Sequence, residues 1–156
     1  MVKIKREKLK GIMVLASCLL SVATFMTVAI GMSNATKTTA KVKTYDYTLA
    51  TVDSDDRFVD SKKSIAMKET KNVDGLTIDI DEDTCSVTYC VFYYDADGGV
   101  ISSTGYLNAD YQGETPDTAE TFRVVIKPKQ VDGEDVTINR FSIGKYAKQL
   151  DVTYNK

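Results

Sequence analysis

Polar and apolar residues alternate along most of the chain after residue 44, which is the period-two pattern of β-strands that bury one face. In LTIDIDED (76–83), Leu76, Ile78 and Ile80 fall on one face, with acids and a threonine between them. SVTYCVFYY (86–94) is apolar on both faces, which predicts a central strand covered on each side. The other predicted strands are YDYTLATV (45–52), TFRVVIKP (121–128), VTINRF (136–141) and QLDVTYN (149–155).

Turns rich in glycine and aspartate separate these strands, and DADGG (95–99) is expected to join the central strand to a returning strand. Helical spacing of apolar residues occurs in SIGKYAKQL (142–150). The sequence Thr115–Pro116–Asp117 predicts a single helical turn before the strand at 121–128. Seven or more short strands with one or two helical turns predict an all-β fold, namely an antiparallel β-sandwich.

The first 32 residues have a different pattern. Residues 1–10 carry five Lys or Arg, and residues 11–32 carry no charge. As a helix, this apolar segment would extend ~33 Å at ~1.5 Å per residue, enough for a single-pass transmembrane anchor with its N-terminus inside. The competing interpretation is a signal peptide, since Ser33–Asn34–Ala35 offers small residues for cleavage before Thr36. Both interpretations place the rest of the chain outside the cytoplasm, either tethered to the cell membrane or secreted.

Residues 33–44 are rich in Thr, Lys and Ala, so they are predicted to be a flexible tether before a folded domain at 45–156. Residues 1–44 carry eight Lys or Arg and one acid, whereas residues 45–156 carry 12 Lys or Arg and 21 Asp or Glu. Such an acidic domain repels phosphate backbones, so nucleic acid is not an expected partner. The chain has no histidine, the commonest general base and metal ligand, and we predict that it is not an enzyme.

Acidic clusters are the candidate calcium ligands, and the DADGG turn begins like a calcium loop. An EF-type loop that starts at Asp95 needs an acid at its twelfth position, where Tyr106 stands, so this interpretation fails. The acids are instead expected to be solvated, and no metal or other cofactor is predicted. Cys85 and Cys90 would lie ~16 Å apart along one strand, against ~6 Å in a disulfide, so both are predicted to be free thiols.

A recurring signature runs through residues 87–127. A strand that ends in an aromatic–aspartate pair turns back, and a Thr–Pro turn leads into a strand that carries arginine. The residues involved are Phe92–Asp95, Gly98, Ile101, Ser102, Thr115, Pro116, Ala119 and Phe122–Val124. This segment resembles the second half of galactose-binding-like, carbohydrate-binding jelly-roll modules of bacterial secreted and surface proteins. The resemblance implies a jelly-roll-like sandwich and a glycan ligand, although the absence of tryptophan departs from typical sugar-binding members.

The longest irregular stretch, STGYLNADYQGETPD (103–117), is the predicted ligand-contact region, because binding residues concentrate in loops. Tyrosine supplies a flat apolar face and a polar tip, which suit stacking on a sugar. The candidate ligand-binding residues are Tyr106, Asp110, Tyr111, Gln112 and, on the neighbouring strand, Arg123. In the competing interpretation the two tyrosines cap the core and Arg123 pairs with a carboxylate.

The sequence therefore predicts a non-catalytic, extracytoplasmic β-sandwich binding module of bacterial type. It is membrane-anchored through residues 11–32 or secreted, and its expected partner is a glycan or a surface protein. The alternative is a structural or protein-interaction surface domain that has no small-molecule ligand.

Overall fold

The computed structural model describes residues 37–81 and 83–156, in which antiparallel β-strands predominate over helix. The strands are β1 (Thr39–Lys41), β2 (Tyr47–Thr48), β3 (Ala50–Val52), β4 (Phe58–Asp60), β5 (Ile65–Met67), β6 (Lys71–Asn72), β7 (Thr77–Ile80), β8 (Val87–Tyr94), β9 (Val100–Ser103), β10 (Thr121–Pro128) and β11 (Leu150–Asn155). A short 3-10 turn at Thr44–Asp46 and a five-residue helix, α1 (Ile143–Ala147), are the helical elements of this part of the chain. The predicted all-β antiparallel class and the predicted helix at this position are confirmed.

Strands β8 and β10 form the centre of the larger sheet. They pair antiparallel along their full length, from Thr121 opposite Tyr94 to Pro128 opposite Val87. The strand order of this central sheet is β2-β5-β10-β8-β9, and β6 also pairs with β10. A second sheet, the C-terminal sheet, has the order β1-β11-β7, and β3 and β4 form a separate hairpin.

The main core is built by the central and C-terminal sheets, which gives the body a β-sandwich-like architecture. Alternate side chains of β8 and β10 contribute from one sheet, and alternate side chains of β7 and β11 contribute from the other. Between them, the rings of Phe122 and Tyr154 meet edge to face with centroids 5.9 Å apart. Burial of this apolar surface is the dominant stabilising contribution to the fold.

The opposite face of the central sheet is covered by the β3–β4 hairpin. Ala50 and Val52 of the hairpin pack with Ala66 of β5 and Val125 of β10 in a second, smaller core. Strand β8 therefore has apolar neighbours on both faces. The central strand predicted at 86–94 is confirmed.

The DADGG turn after β8 is held by its own first acid. The Asp95 Oδ1 atom accepts hydrogen bonds from the N–H groups of Asp97 at 3.0 Å and Gly99 at 2.8 Å. Gly98 has φ of +81°, a left-handed conformation that glycine adopts without steric cost. The acid serves the hairpin between β8 and β9, as predicted.

The predicted continuous strand at 45–52 is wrong, because the chain bends at Leu49 between β2 and β3. Tyr47 lies in the main core, whereas Ala50 and Val52 lie in the smaller core on the other face of the central sheet. A single alternating pattern assigns all inward residues to one face, so it cannot describe a segment that contacts two cores.

The predicted strand at 136–141 is also wrong, since this segment is irregular. Ile138 is buried, and its N–H donates to the Lys62 carbonyl at 2.6 Å. A buried anchor flanked by polar residues produces the same local alternation as a short strand, which is the reason for the error.

The folded body begins before residue 45. Strand β1 pairs with the end of β11, Val42 is buried in the main core, and the compact unit extends from Thr38 to Lys156. The predicted tether at 33–44 therefore overlaps the fold from residue 39 onward. The polar composition of this segment gave no indication that Val42 is buried or that β1 forms an edge strand, because β1 pairs through its backbone.

The predictions of an anchor or signal peptide concern residues 1–10 and 11–32, which lie outside the described residues. In the part of the chain that is described, no helix has the length and apolar character needed to span a membrane. The membrane and localisation assignments remain predictions.

Candidate binding groove

An open groove of about 580 Å³ lies where β2, the β4–β5 connection and the start of α1 meet. Its lining residues are Tyr47, Thr48, Leu49, Asp60, Ser61, Lys62, Lys68, Arg140 and Ile143. Clefts that bind small ligands typically measure roughly 300–1,000 Å³. We call this feature the binding groove.

Main-chain hydrogen bonds fasten the walls of the groove. The Ile138 N–H donates to the Lys62 carbonyl, which ties the segment before α1 to the β4–β5 connection. The Asn139 Oδ1 atom accepts from the Phe141 N–H at 3.0 Å and thereby fixes the turn that carries Arg140 and Phe141. Among the lining side chains, Ser61 Oγ accepts from the Lys63 N–H at 3.1 Å and from the Ser64 hydroxyl at 3.0 Å, which leaves its own O–H to donate.

The apolar part of the groove lining comes from three residues. Tyr47 is buried, and this burial, followed by the nearby Asp46 carboxylate, raises the pKa of its hydroxyl well above the ordinary value. Leu49 and Ile143 are partly buried and pack against the main core. The lining therefore offers an uncharged apolar surface to a ligand.

Three cations and one acid complete the lining: Lys62, Lys68, Arg140 and Asp60. The Lys68 Nζ atom donates to the Tyr45 carbonyl at 2.6 Å, a neutral acceptor that leaves the ammonium charge uncompensated. Within residues 37–81 and 83–156, neither Lys62 nor Arg140 forms an ion pair. The charged lining of the groove is therefore mostly positive.

Two exposed aromatic side chains belong to residues next to the groove. Phe141 follows the lining residue Arg140 and is 94% exposed. Tyr45, whose carbonyl binds Lys68, is 72% exposed. Neither ring lines the groove itself, and Tyr45 lines a separate, smaller pocket with Lys68 and Glu69. Each ring is an exposed flat apolar face on a segment that adjoins the groove.

The ligand residues predicted from the sequence do not gather in one site. Tyr111 exchanges main-chain hydrogen bonds of 2.8 and 2.9 Å with Ile78, and its hydroxyl bonds to that of Tyr93. The Asp110 Oδ1 atom accepts from the Ile80 N–H at 2.8 Å. Both residues therefore connect the 103–117 loop to the sheets. For Tyr111, this is a structural role of the kind that the competing interpretation gave it.

Tyr106 and Gln112 are exposed but lie outside the binding groove. Tyr106 is 51% exposed, yet burial at its hydroxyl end raises its pKa; neighbouring Cys90 adds to this rise and the Thr51 hydroxyl opposes it. Thr51 belongs to β3 of the hairpin, and Cys90 belongs to β8 of the central sheet. Gln112 forms no side-chain hydrogen bond with another described residue.

Arg123 is also on the face of the central sheet that the β3–β4 hairpin covers. Its guanidinium carbon lies 4.1 Å from the centroid of the Phe58 ring and 5.4 Å from that of Tyr94. Its Nη2 atom donates to the Lys68 carbonyl at 3.3 Å, while Nε is buried without a hydrogen-bond partner. The carboxylate pair of the competing interpretation is not found among the described residues, where two aromatic rings flank the guanidinium instead.

The acidic clusters are engaged by protein donors. The Arg57 side chain donates to Asp53 Oδ2 at 3.0 and 2.8 Å, and these bonds are the main cause of the lowered pKa of Asp53. Asp135 accepts from Gln130, Lys63 and Lys127, which lowers its pKa as well. Across residues 37–81 and 83–156, no three acid or thiol side chains are grouped so that they could hold a metal ion.

Cys85 and Cys90 are free thiols, and both are buried. Burial raises the pKa of Cys90, and this outweighs the opposing hydrogen bonds from Thr104 and Ser103. A reactive cysteine needs a lowered pKa and access to solvent. Cys90 has a raised pKa and is buried, so its environment does not suit a nucleophile.

The groove was missed by sequence reasoning because its lining is spread between residues 47 and 143 with no regular spacing. The chain brings these parts together only through tertiary contacts such as the Ile138–Lys62 hydrogen bond. One signal was present: an arginine and a phenylalanine follow Asn139, a residue that favours turns. The alternation at 136–141 hid that turn.

No protein-family model, curated protein or solved structure matches this chain.

Proposed function

We propose that this protein is a non-catalytic, extracytoplasmic β-sandwich module that binds carbohydrate in the binding groove. The uncharged segment at 11–32, behind a cationic N-terminus, supports a position outside the cytoplasm, either anchored or secreted. The resemblance of residues 87–127 to jelly-roll carbohydrate-binding modules supports the finer fold and the ligand class. The lack of histidine and the buried thiols support a role in binding.

The observation that carries the proposal is a groove with apolar and polar lining, adjoined by two segments that each carry an exposed aromatic ring. A sugar ring has an apolar C–H face and a rim of hydroxyls, so it needs flat apolar contact and hydrogen-bonding groups around it. Phe141 and Tyr45 provide exposed rings. Thr48, Ser61 and Asp60 provide the hydrogen-bonding groups.

A protein partner is the second candidate, and the exposure of Phe141 favours it. A ring that is 94% exposed is also the kind of aromatic anchor that a protein interface uses. Such a partner would not need the hydroxyl-binding groups of the groove. Variants of Ser61 and Asp60 therefore distinguish the two candidates.

A glycan array probed with the full-length chain in detergent tests the proposal. The bound saccharide is then titrated against Phe141→Ala and Tyr45→Ala. The matched control is Tyr106→Ala, because Tyr106 is an exposed tyrosine on a segment that contributes no residue to the groove lining. We expect the groove variants to lose affinity by about 3–10-fold, the equivalent of about 0.5–1.5 kcal/mol for an aromatic contact, and the control to bind normally.

Failure to bind any saccharide would overturn the carbohydrate proposal. Loss of binding in Tyr106→Ala, with normal binding in Phe141→Ala and Tyr45→Ala, would return the site to the 103–117 loop. A partner that requires Phe141 but tolerates Ser61→Ala and Asp60→Asn would favour the protein-interaction alternative.

A further inference from the structure

The binding groove concentrates positive charge on a body that is negative overall. Residues 45–156 carry 12 Lys or Arg against 21 Asp or Glu. The groove lining reverses this ratio, with Lys62, Lys68 and Arg140 against Asp60. Composition alone would predict an acidic groove, so the sign of the charge points to a ligand.

Several cations elsewhere in the described residues are paired with acids, among them the neighbour of Lys62 in the chain. The paired cations are Lys41, Arg57, Lys63, Lys71 and Lys127. Lys62 and Lys63 are neighbours in the chain, but of the two only Lys63 has a carboxylate partner among the described residues, at 2.9 Å. Of these two lysines in the β4–β5 connection, the one that lines the groove is the one without a carboxylate partner among the described residues.

We propose that the groove binds an acidic saccharide, one whose sugar units carry carboxylate or phosphate groups. This inference rests on the proposed function and narrows its ligand class. Arginine bonds such anions through two parallel N–H groups, and lysine binds them as a compact charge. Carboxylate and phosphate share this recognition chemistry.

The three cations of the groove lie on three different segments of the chain. Lys62 comes from the β4–β5 connection, Lys68 follows β5 and Arg140 precedes α1. They therefore approach the apolar lining from separate segments of the chain. Asp60 adds an acceptor for sugar hydroxyls and disfavours a ligand with several closely spaced charges.

The acidic body further restricts the choice of anion. A DNA duplex carries one charge per ~1.7 Å of axis, and most of its length would face the acids outside the groove. A saccharide with isolated charges can place them within the groove. The negative body thus selects against dense polyanions, while the groove selects for sparse ones.

The test measures binding of the full-length chain, in detergent, to a neutral polysaccharide, a uronate-bearing polysaccharide and a phosphate-bearing polysaccharide. A DNA duplex serves as a polyanion that has no saccharide chain of this kind. Lys62→Gln and Arg140→Gln are compared with Lys63→Gln. This control removes a positive charge at the adjacent position, but from a lysine that is already in an ion pair with Asp135. We expect either acidic saccharide to bind at least tenfold more tightly than the neutral one, and more weakly as salt is raised. Lys62→Gln and Arg140→Gln each lose about tenfold, whereas Lys63→Gln binds within about twofold.

The two acidic saccharides identify the anionic group, and preference for either supports the inference. Equal binding of neutral and acidic saccharides would overturn it and leave the proposed function standing. Equal loss in Lys62→Gln and Lys63→Gln would also overturn it, because the effect would then be one of net charge. Binding to DNA without binding to any saccharide would overturn both proposals. Thermal melting of each variant verifies that the fold is intact.

Discussion

The guanidinium carbon of Arg123 lies 4.1 Å from the centroid of the Phe58 ring, so a charged side chain of the central sheet is covered by an aromatic side chain of the β3–β4 hairpin. Tyr94 lies near the same guanidinium at 5.4 Å. A cation over an aromatic face is attracted by the ring's quadrupole. The contact therefore holds the hairpin on the sheet and gives Arg123 a structural role.

Removing the Phe58 ring is expected to destabilise the fold. Phe58→Ala should lower the free energy of unfolding by about 1–2 kcal/mol, because it removes both the cation–π contact and partly buried apolar area. Urea unfolding measures the change. The control is Phe141→Ala, the same substitution at a ring that is 94% exposed, which should leave the free energy of unfolding unchanged. Equal loss in both variants would contradict the structural role of the Arg123–Phe58 contact.

The hydroxyl pair of Tyr93 and Tyr111 gives a second stability prediction. Tyr111→Phe keeps the ring but leaves the partly buried Tyr93 hydroxyl without its partner, at a cost of about 1–2 kcal/mol. Chemical unfolding is the measurement, with Tyr45→Phe at an exposed site as the neutral control. A Tyr111→Phe protein of normal stability that no longer binds saccharide would restore Tyr111 as a ligand residue.

Acid unfolding should depend on Asp135. Hydrogen bonds from Gln130, Lys63 and Lys127 hold the pKa of this carboxyl well below its ordinary value of 3.8. A lowered pKa in the folded state means that Asp135 stabilises the fold above the ordinary value, and that this contribution is lost as pH falls from about 4 towards the folded pKa.

The variant Asp135→Asn tests this dependence by urea unfolding at a series of pH values. It should be less stable than the natural protein at neutral pH, and the difference should shrink below about pH 4. The control is Asp117→Asn, because Asp117 forms no ion pair with a described residue. A difference for Asp135→Asn that stays constant across the acid range would contradict the assignment.

The two buried cysteines should be inert in the folded protein. Because both Cys85 and Cys90 are buried and the pKa of Cys90 is raised, a thiol reagent should label neither until the body unfolds. Mass spectrometry of a digest after labelling in native and denaturing buffer distinguishes them from Cys18. Rapid native labelling of Cys90 would show that its strand opens.

Calcium should not change the melting temperature. The carboxylate of Asp53 is occupied by Arg57, and that of Asp95 by the N–H groups of its own turn. A calcium ion would have to displace these donors, and it prefers ~6–8 oxygen ligands. Melting curves recorded with calcium and with a chelator should coincide, and a calcium-dependent rise would contradict this arrangement.

Much of the strand pattern was determined by the sequence itself. The apolar run of β8, the alternation of β7, β10 and β11 and the turn chemistry of Asp95 are local properties, because side chains alternate along a strand and a short acid bonds the N–H groups that follow it. The predicted strands at 45–52 and 136–141 failed for the converse reason. At Leu49 the chain passes from the main core to the smaller core, and Ile138 is one buried residue in an irregular segment. Local alternation of polar and apolar residues shows neither feature.

The candidate site was decided by the tertiary structure. Sequence proximity grouped Tyr106 with Tyr111, but neighbouring residues in a loop can lie against different faces of one sheet. Here Tyr111 contacts Tyr93 and Tyr106 lies near Cys90, on opposite faces of β8. The groove instead joins Lys62, Lys68 and Arg140, which are up to 78 positions apart in the chain. Their juxtaposition depends on where the chain turns and on which backbone groups pair across the fold. The sequence determined which residues form strands, whereas long-range hydrogen bonds and the two-sided burial of one sheet determined which side chains share a surface.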